Sequence, residues 1–219
     1  MHTLKKETML WAFILILTLL LLYAVFFLVP PAQGLGNLVR IAFFHIPVAW
    51  IAVLAFLVSA FYAGKYLRRP NSYYDTVSAE SARLGFIFVL LATFSGAIFS
   101  KLTWGAYWNW DPRQTTIFVL LLIYAAYLML RAVIPDASRR GRASAVYALF
   151  SFLTVPFLVF IIPRFYFSLH PSPVINGSGT IQMDPVMLRV LIGALFDMTL
   201  IYVALLHSRI RQKEVHHES

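Results

Sequence analysis

The sequence predicts an all-α integral membrane protein of six transmembrane helices, with both termini inside and a tryptophan-rich segment at the outer face. Three observations carry this. Of 219 residues, 60% are hydrophobic and only 12% charged, against about a quarter charged in soluble domains, and mean hydropathy is +0.76. Six apolar runs reach the roughly 17–25 residues that a bilayer crossing needs. Lys and Arg fall mostly in alternate connectors, the pattern that sets membrane orientation.

The runs lie at about 9–29, 41–63, 84–100, 115–134, 143–162 and 186–206. The first, from Met9 to Val29, is longer than the apolar core of a signal peptide. No small-x-small cleavage site follows it, so it reads as a retained span ending at Pro30-Pro31. The second carries Pro47 near one end. The third leads into the tryptophan-rich connector. The fourth opens at Asp111-Pro112-Arg113-Gln114, where Asp111 suits an N-cap, Pro112 the first helical position and Gln114 a capping box. The fifth holds Pro156 near its middle, which predicts a kink. Asp184-Pro185 repeats the capping device before the sixth. No internal repeat and no soluble domain is visible, so residues 1–219 read as a single six-span domain.

Thirteen of the 18 Lys and Arg residues lie on one side of this arrangement. They occupy the N-terminal tail, the second and fourth connectors and the C-terminal tail. The other side has Arg40, Lys101, Arg113, Arg164 and Arg189. The first side is therefore cytoplasmic, and three connectors lie outside, at about 30–40, 101–114 and 163–185. The last contains Pro171, Pro173, Gly177 and Gly179 and is expected to be irregular and close to the membrane surface. The net charge of +9 is then mostly positive-inside bias, and no nucleic-acid surface is expected.

Several chemistries are excluded. There are no cysteines, hence no disulfide, thiolate metal site or cysteine nucleophile. No nucleotide-binding loop, Ser/His/Asp arrangement or carboxylate pair is present, so an ATPase that drove export would be another chain.

Residues 104–110 hold three of the five tryptophans, followed by Asp111-Pro112-Arg113. Connectors are normally small and polar, and an interfacial aromatic belt is scattered rather than clustered. An extended segment would put Trp104, Trp108 and Trp110 on one face. A helical one would pair Trp104 with Trp108 and turn Trp110 away. Gly105 would let backbone approach a flat ligand closely. Of six histidines, only His45 and His170 lie outside, one on each side of this segment in sequence. Two imidazoles are too few for a closed zinc site. They are enough as axial ligands of haem iron, whose porphyrin supplies four nitrogens. Haem also needs an apolar surface and cations for its propionates, for which Arg113 is a candidate. Asp111 could cap the helix and also hydrogen-bond a ligating histidine. Asp197, near mid-span six, is costly at that depth and is a functional candidate by default. It suits either a protonated packed residue or a contact to a partner helix.

Trp104-Gly105-Ala106-Tyr107-Trp108-Asn109-Trp110-Asp111 resembles the tryptophan-rich "WWD" signature of haem-handling proteins in cytochrome c biogenesis. The length, the six spans and the single outer histidine on each side of the motif resemble the CcmC-type haem exporter protein C family across essentially the whole chain. His45-Ile46-Pro47-Val48-Ala49-Trp50 is similar to that family's first histidine segment. The resemblance implies haem b carried transiently as cargo, with His45 and His170 as axial ligands and 101–114 as a periplasmic WWD segment cradling the haem edge. It implies a delivery protein rather than an enzyme, in the bacterial cytoplasmic (inner) membrane. The implied partners are a CcmE-type haem chaperone, the ATP-binding subunit CcmA, CcmB and CcmD, together with membrane lipid. Asp111-Pro112-Arg113-Gln114 resembles the tail of the motif in CcsA-type synthases as much as that in some CcmC-type proteins. Two other readings are a CcsA-like haem lyase and a non-haem scaffold or permease subunit whose tryptophans dock a partner.

Overall fold

A computed structural model gives the fold, and residues 2–170 and 183–218 of it are described. The outer-connector expectations for Pro171, Pro173, Gly177 and Gly179 lie outside the described residues. Seven α-helices follow in order: α1 (His2–Tyr23), α2 (Ala42–Arg68), α3 (Ser72–Trp104), α4 (Pro112–Val133), α5 (Ala137–Pro156), α6 (Ile162–Phe165) and α7 (Pro185–Glu218). Among the described residues there is no strand, only one isolated antiparallel bridge between Ala32 and Gly36. Six helical segments are long and apolar enough to cross a membrane. The chain is a multi-pass membrane protein.

α2 and α3 run past the apolar stretches that announce them. α2 continues to Arg68 and α3 starts at Ser72, capped by the Asn71 side chain, which accepts from the Tyr73 amide at 2.8 Å. Hydropathy marks only the part of a helix that lies in hydrocarbon. Lys65, Arg68 and Arg83 are helical residues, not members of a 20-residue connector. Their long stems project from good helix formers.

Proline leaves its mark where expected in α5. α5 ends at Pro156, and a single π-helical turn, Phe157–Ile161, carries the chain on into α6. Proline supplies no amide and its ring crowds the carbonyl four residues back, and a π-turn is one way to absorb that mismatch. α1 likewise ends in a π-helical turn, Ala24–Leu28.

α2 and α3 pack closely because small residues face one another: Ala55, Ser59 and Ala63 on one side, Ser78, Ser81 and Ala82 on the other, all buried. Ser81 Oγ donates to Ala55 O at 2.7 Å and Ser78 Oγ to Ser59 O at 2.9 Å. Hydroxyls so paired lose little on leaving water. α4 and α5 complete the core with Leu120, Tyr124, Tyr127, Ala148 and Val155. At the Lys- and Arg-rich end, Arg131 grips Asp75 through both guanidinium arms at 2.7 and 2.8 Å, tying the end of α4 to the start of α3.

α1 packs mainly on α7. Asp197 sits at that contact, 3% exposed. Thr18 Oγ1 lies 2.8 Å from Asp197 Oδ2 and 2.9 Å from the Ile14 carbonyl. The intramembrane carboxyl thus meets α1 of its own chain. Arg211 pairs with Glu7 at the end of the same two helices. Large apolar side chains, among them Phe27, Leu122 and Phe150, cover the bundle's outside, as hydrocarbon requires.

Candidate functional site

The start of α2, the C-terminal part of α3, the first turns of α4 and the region after Pro156 meet at one end of the bundle. Between them is a cavity of about 160 Å³. His45, Gly96, Trp108, Arg113, Gln114 and His170 are among its lining residues. The two histidines, 125 positions apart in sequence, therefore face one space.

Each histidine is tethered through Nδ1. His45 Nδ1 is 3.0 Å from Ser95 Oγ. His170 Nδ1 is 3.1 Å from Asp111 Oδ1, and its ring packs 5.2 Å from Trp104, tilted by 60°. A carboxylate only accepts, so Nδ1 of His170 carries the proton and Nε2 keeps a free lone pair.

Asp111 is 4% exposed and joins three segments. Its carboxylate accepts from the Arg113 amide at 2.9 Å, which makes it the N-cap of α4. It also accepts from Ser168 Oγ at 2.9 Å and from the Leu169 amide at 2.7 Å. Helix cap and histidine partner are thus one carboxylate. Burial alone would raise its pKa. The Arg113 and Leu169 amides, the Ser168 hydroxyl and the His170 charge outweigh burial and hold the carboxyl below the usual carboxylate range. For His170, burial pushes the imidazole down, and the opposing pull of Asp111 does not restore its ordinary value. The ring is therefore neutral at neutral pH.

Gln114 does not close a capping box on Asp111. Its Oε1 accepts from the Asn109 amide at 2.8 Å, and its Nε2 reaches the Tyr107 carbonyl at 3.3 Å. The reason is Trp110, which has φ 55°, the only positive φ outside glycine among the described residues. That turn presents Asn109 to the glutamine instead. Asn109 Nδ2 in turn donates to Ser100 Oγ at 2.7 Å, and Ser100 donates to the Ala106 carbonyl at 2.7 Å. Ser100, Asn109 and Gln114 knit the aromatic segment into a fixed loop. Ser100 and Asn109 were not singled out from sequence, although a Ser and an Asn beside apolar runs were the available signal; Gln114 was, as a helix cap.

The tryptophans follow neither regular geometry. Trp104 is the last residue of α3 and lies against Phe99 and His170. Trp108 lines the cavity and packs edge-on to Trp110 and Phe118 at 5.9 and 6.0 Å. Trp110 is 74% exposed. Gly105 does not line the cavity. It ends α3 in the left-handed region, at φ 84°, the usual duty of glycine past a helix C-terminus. Arg113 lines the cavity, and its buried Nε has no hydrogen-bond partner among the described residues.

The family model for Heme exporter protein C matches residues 2–219. The chain belongs to the CcmC family of haem exporters. It is 29% identical to the Heme exporter protein C of Bradyrhizobium diazoefficiens over 178 residues, 81% of this chain and 67% of that protein. It is 32% identical to the Paracoccus denitrificans protein of the same name over 114 residues, 51% and 47% of the two chains. It is also 34% identical to the cytochrome c biogenesis protein CcsA of Spinacia oleracea, but over only 32% of that longer protein. The matched chain thus spans about two thirds of one CcmC relative and about half of the other. CcmC membership assigns the chain to haem export for cytochrome c biogenesis, as a transport component, with CcsA-type proteins as relatives that share part of it.

Proposed function

We propose that this chain binds haem b as cargo between His45 and His170 and passes it to a CcmE-type chaperone. The observation that carries the reading is that both imidazoles line one cavity with Nδ1 tethered to a partner. Among the described residues no group of three or more His, Cys, Asp or Glu could hold a bare metal ion. Two imidazoles suit an iron that brings its own four nitrogens. The Nε of Arg113 in the same lining, unpartnered among the described residues, suits a propionate. The cavity is smaller than the roughly 300–1,000 Å³ usual for small-molecule sites. A porphyrin therefore keeps an edge outside it, beside half-buried Trp108 and exposed Trp110, as suits cargo to be handed on. The same chain acts as a delivery protein rather than an enzyme.

In this reading, which the distribution of Lys and Arg supports, both termini are cytoplasmic and the histidine end of the bundle faces the periplasm of a bacterial inner membrane. CcmA, CcmB and CcmD are the other components in this reading, with CcmA supplying ATP hydrolysis. The test is the absorption spectrum of the purified protein, oxidised and reduced. Wild type should carry haem, and His45→Ala with His170→Ala together should lose it. A colourless wild type that still captures partners after loss of both histidines points instead to a docking scaffold.

A further inference from the structure

The two histidines of the cavity have unequal partners. His45 faces a neutral hydroxyl, whereas His170 faces an anion. The Ser95 hydroxyl has one proton, and two helix carbonyls stand ready to take it, Leu91 O at 2.8 Å and Ala92 O at 3.1 Å. With its hydroxyl hydrogen donated in a hydrogen bond to a carbonyl, Ser95 Oγ accepts from His45. Nδ1 of His45 then carries the proton and Nε2 the lone pair. Gly96 leaves room for this arrangement: a Cβ there would stand 3.0 Å from His45 Cε1 and 3.6 Å from Nδ1. Ser95 and Gly96 thus form a seat that sets both the tautomer and the position of His45.

The strength of that seat differs from its counterpart. A carboxylate behind an imidazole raises its basicity as a ligand, and hydrogen bonds to an ionised acceptor are roughly twice as strong as neutral ones. Asp111 also anchors the chain around His170 through Ser168 and Leu169. We infer that His170 is the retained axial ligand of the cargo and His45 the one that exchanges at handover, with Ser95 as the positioning residue that sets its hold. This rests on the haem-binding reading above. The step is a ligand exchange. The bond from iron to His45 Nε2 breaks with its electron pair staying on nitrogen, and an incoming donor supplies the pair that replaces it. No proton moves and the iron keeps its oxidation state.

The test uses the full chain in detergent, loaded with haem and reduced, with carbon monoxide as the incoming ligand. Ser95→Ala should speed carbon monoxide binding about tenfold, at the low end of what loss of such outer partners does to metal sites, and should shift the midpoint potential. Ser95→Thr, which keeps the hydroxyl, should restore both. Gly96→Ala, which crowds the ring, should also speed binding and decides the matter if Ser95→Ala does not fold. Haem-loaded Ser95→Ala and Gly96→Ala that both keep the wild-type rate and potential would overturn the inference. So would Asp111→Asn speeding exchange while Ser95→Ala does not. A wild type without haem sinks the underlying reading, and this inference with it.

Discussion

Asp111 Oδ1 lies 3.1 Å from His170 Nδ1, across 59 residues of sequence. The same carboxylate caps α4. One side chain therefore couples the start of a transmembrane helix to the orientation of a ligand candidate in a loop.

Asp111→Asn keeps a cap, because asparagine is as good an N-cap as aspartate. It removes the anion behind His170 and places an NH₂ where an acceptor was. Haem affinity should fall by about 10–100-fold, and stability should fall by about 1–3 kcal/mol because the NH₂ leaves a buried donor without its acceptor. Haem titration and a thermal melt on the same preparation check both halves. Equal affinity in variant and wild type would show that Asp111 serves the helix alone.

Haem loading should fall on acidification. The folded-state pKa of His170 lies below its ordinary 6.5. As the pH drops through about 6.5, the unfolded chain takes up this proton before the folded one does, so folding stability declines. The Asp111 carboxyl, lowered from 3.8, contributes stability that is present above about pH 4 and is lost only as pH falls through its lower folded value. Bound haem and melting temperature, followed from pH 7.5 to 5, should decrease together. A flat profile would remove His170 from the site.

Gly96 and Gly105 should respond differently to alanine. A Cβ on Gly96 meets the His45 ring, whereas one on Gly105 meets nothing within 4 Å but sits at φ +84°. Gly105→Ala should cost about 1 kcal/mol or somewhat more in stability from the strained backbone and leave the haem spectrum as in wild type. Gly96→Ala should perturb the spectrum. An altered spectrum in Gly105→Ala would restore the glycine to the cargo surface.

Thr18→Val strips Asp197 of its hydroxyl partner in the α1–α7 contact. Loss of that bond from a buried group should cost about 1–3 kcal/mol. Because α1 packs mainly on α7, the loss should appear as earlier proteolysis near α1 as well as a lower melting temperature. A protease pattern identical to wild type would leave the pair without a structural role.

The number of spans and their helical type were legible in the sequence, because hydrocarbon imposes one rule on every residue of a span. Composition was enough to read it. Helix lengths were less legible: α2 and α3 extend beyond hydrocarbon as polar helix, where hydropathy is silent and only caps such as Asn71 mark the boundary. His45, His170 and the aromatic segment stood out by residue type. Ser95, Gly96, Ser100 and Asn109 did not, because a serine or glycine in an apolar run is ordinary until its neighbour is known.

The sequence by itself determined a six-span, helical membrane chain with two histidines flanking a tryptophan cluster, because burial in lipid and local helix signals act over short stretches. Only the tertiary structure decided that both histidines line one cavity, and that Asp111 serves two partners. It also decided that Trp104, Trp108 and Trp110 point different ways. These depend on how α2, α3 and α4 approach one another, and on a single positive φ at Trp110. Neither follows from residue type, since contacts across the bundle are set by packing between segments distant in the chain.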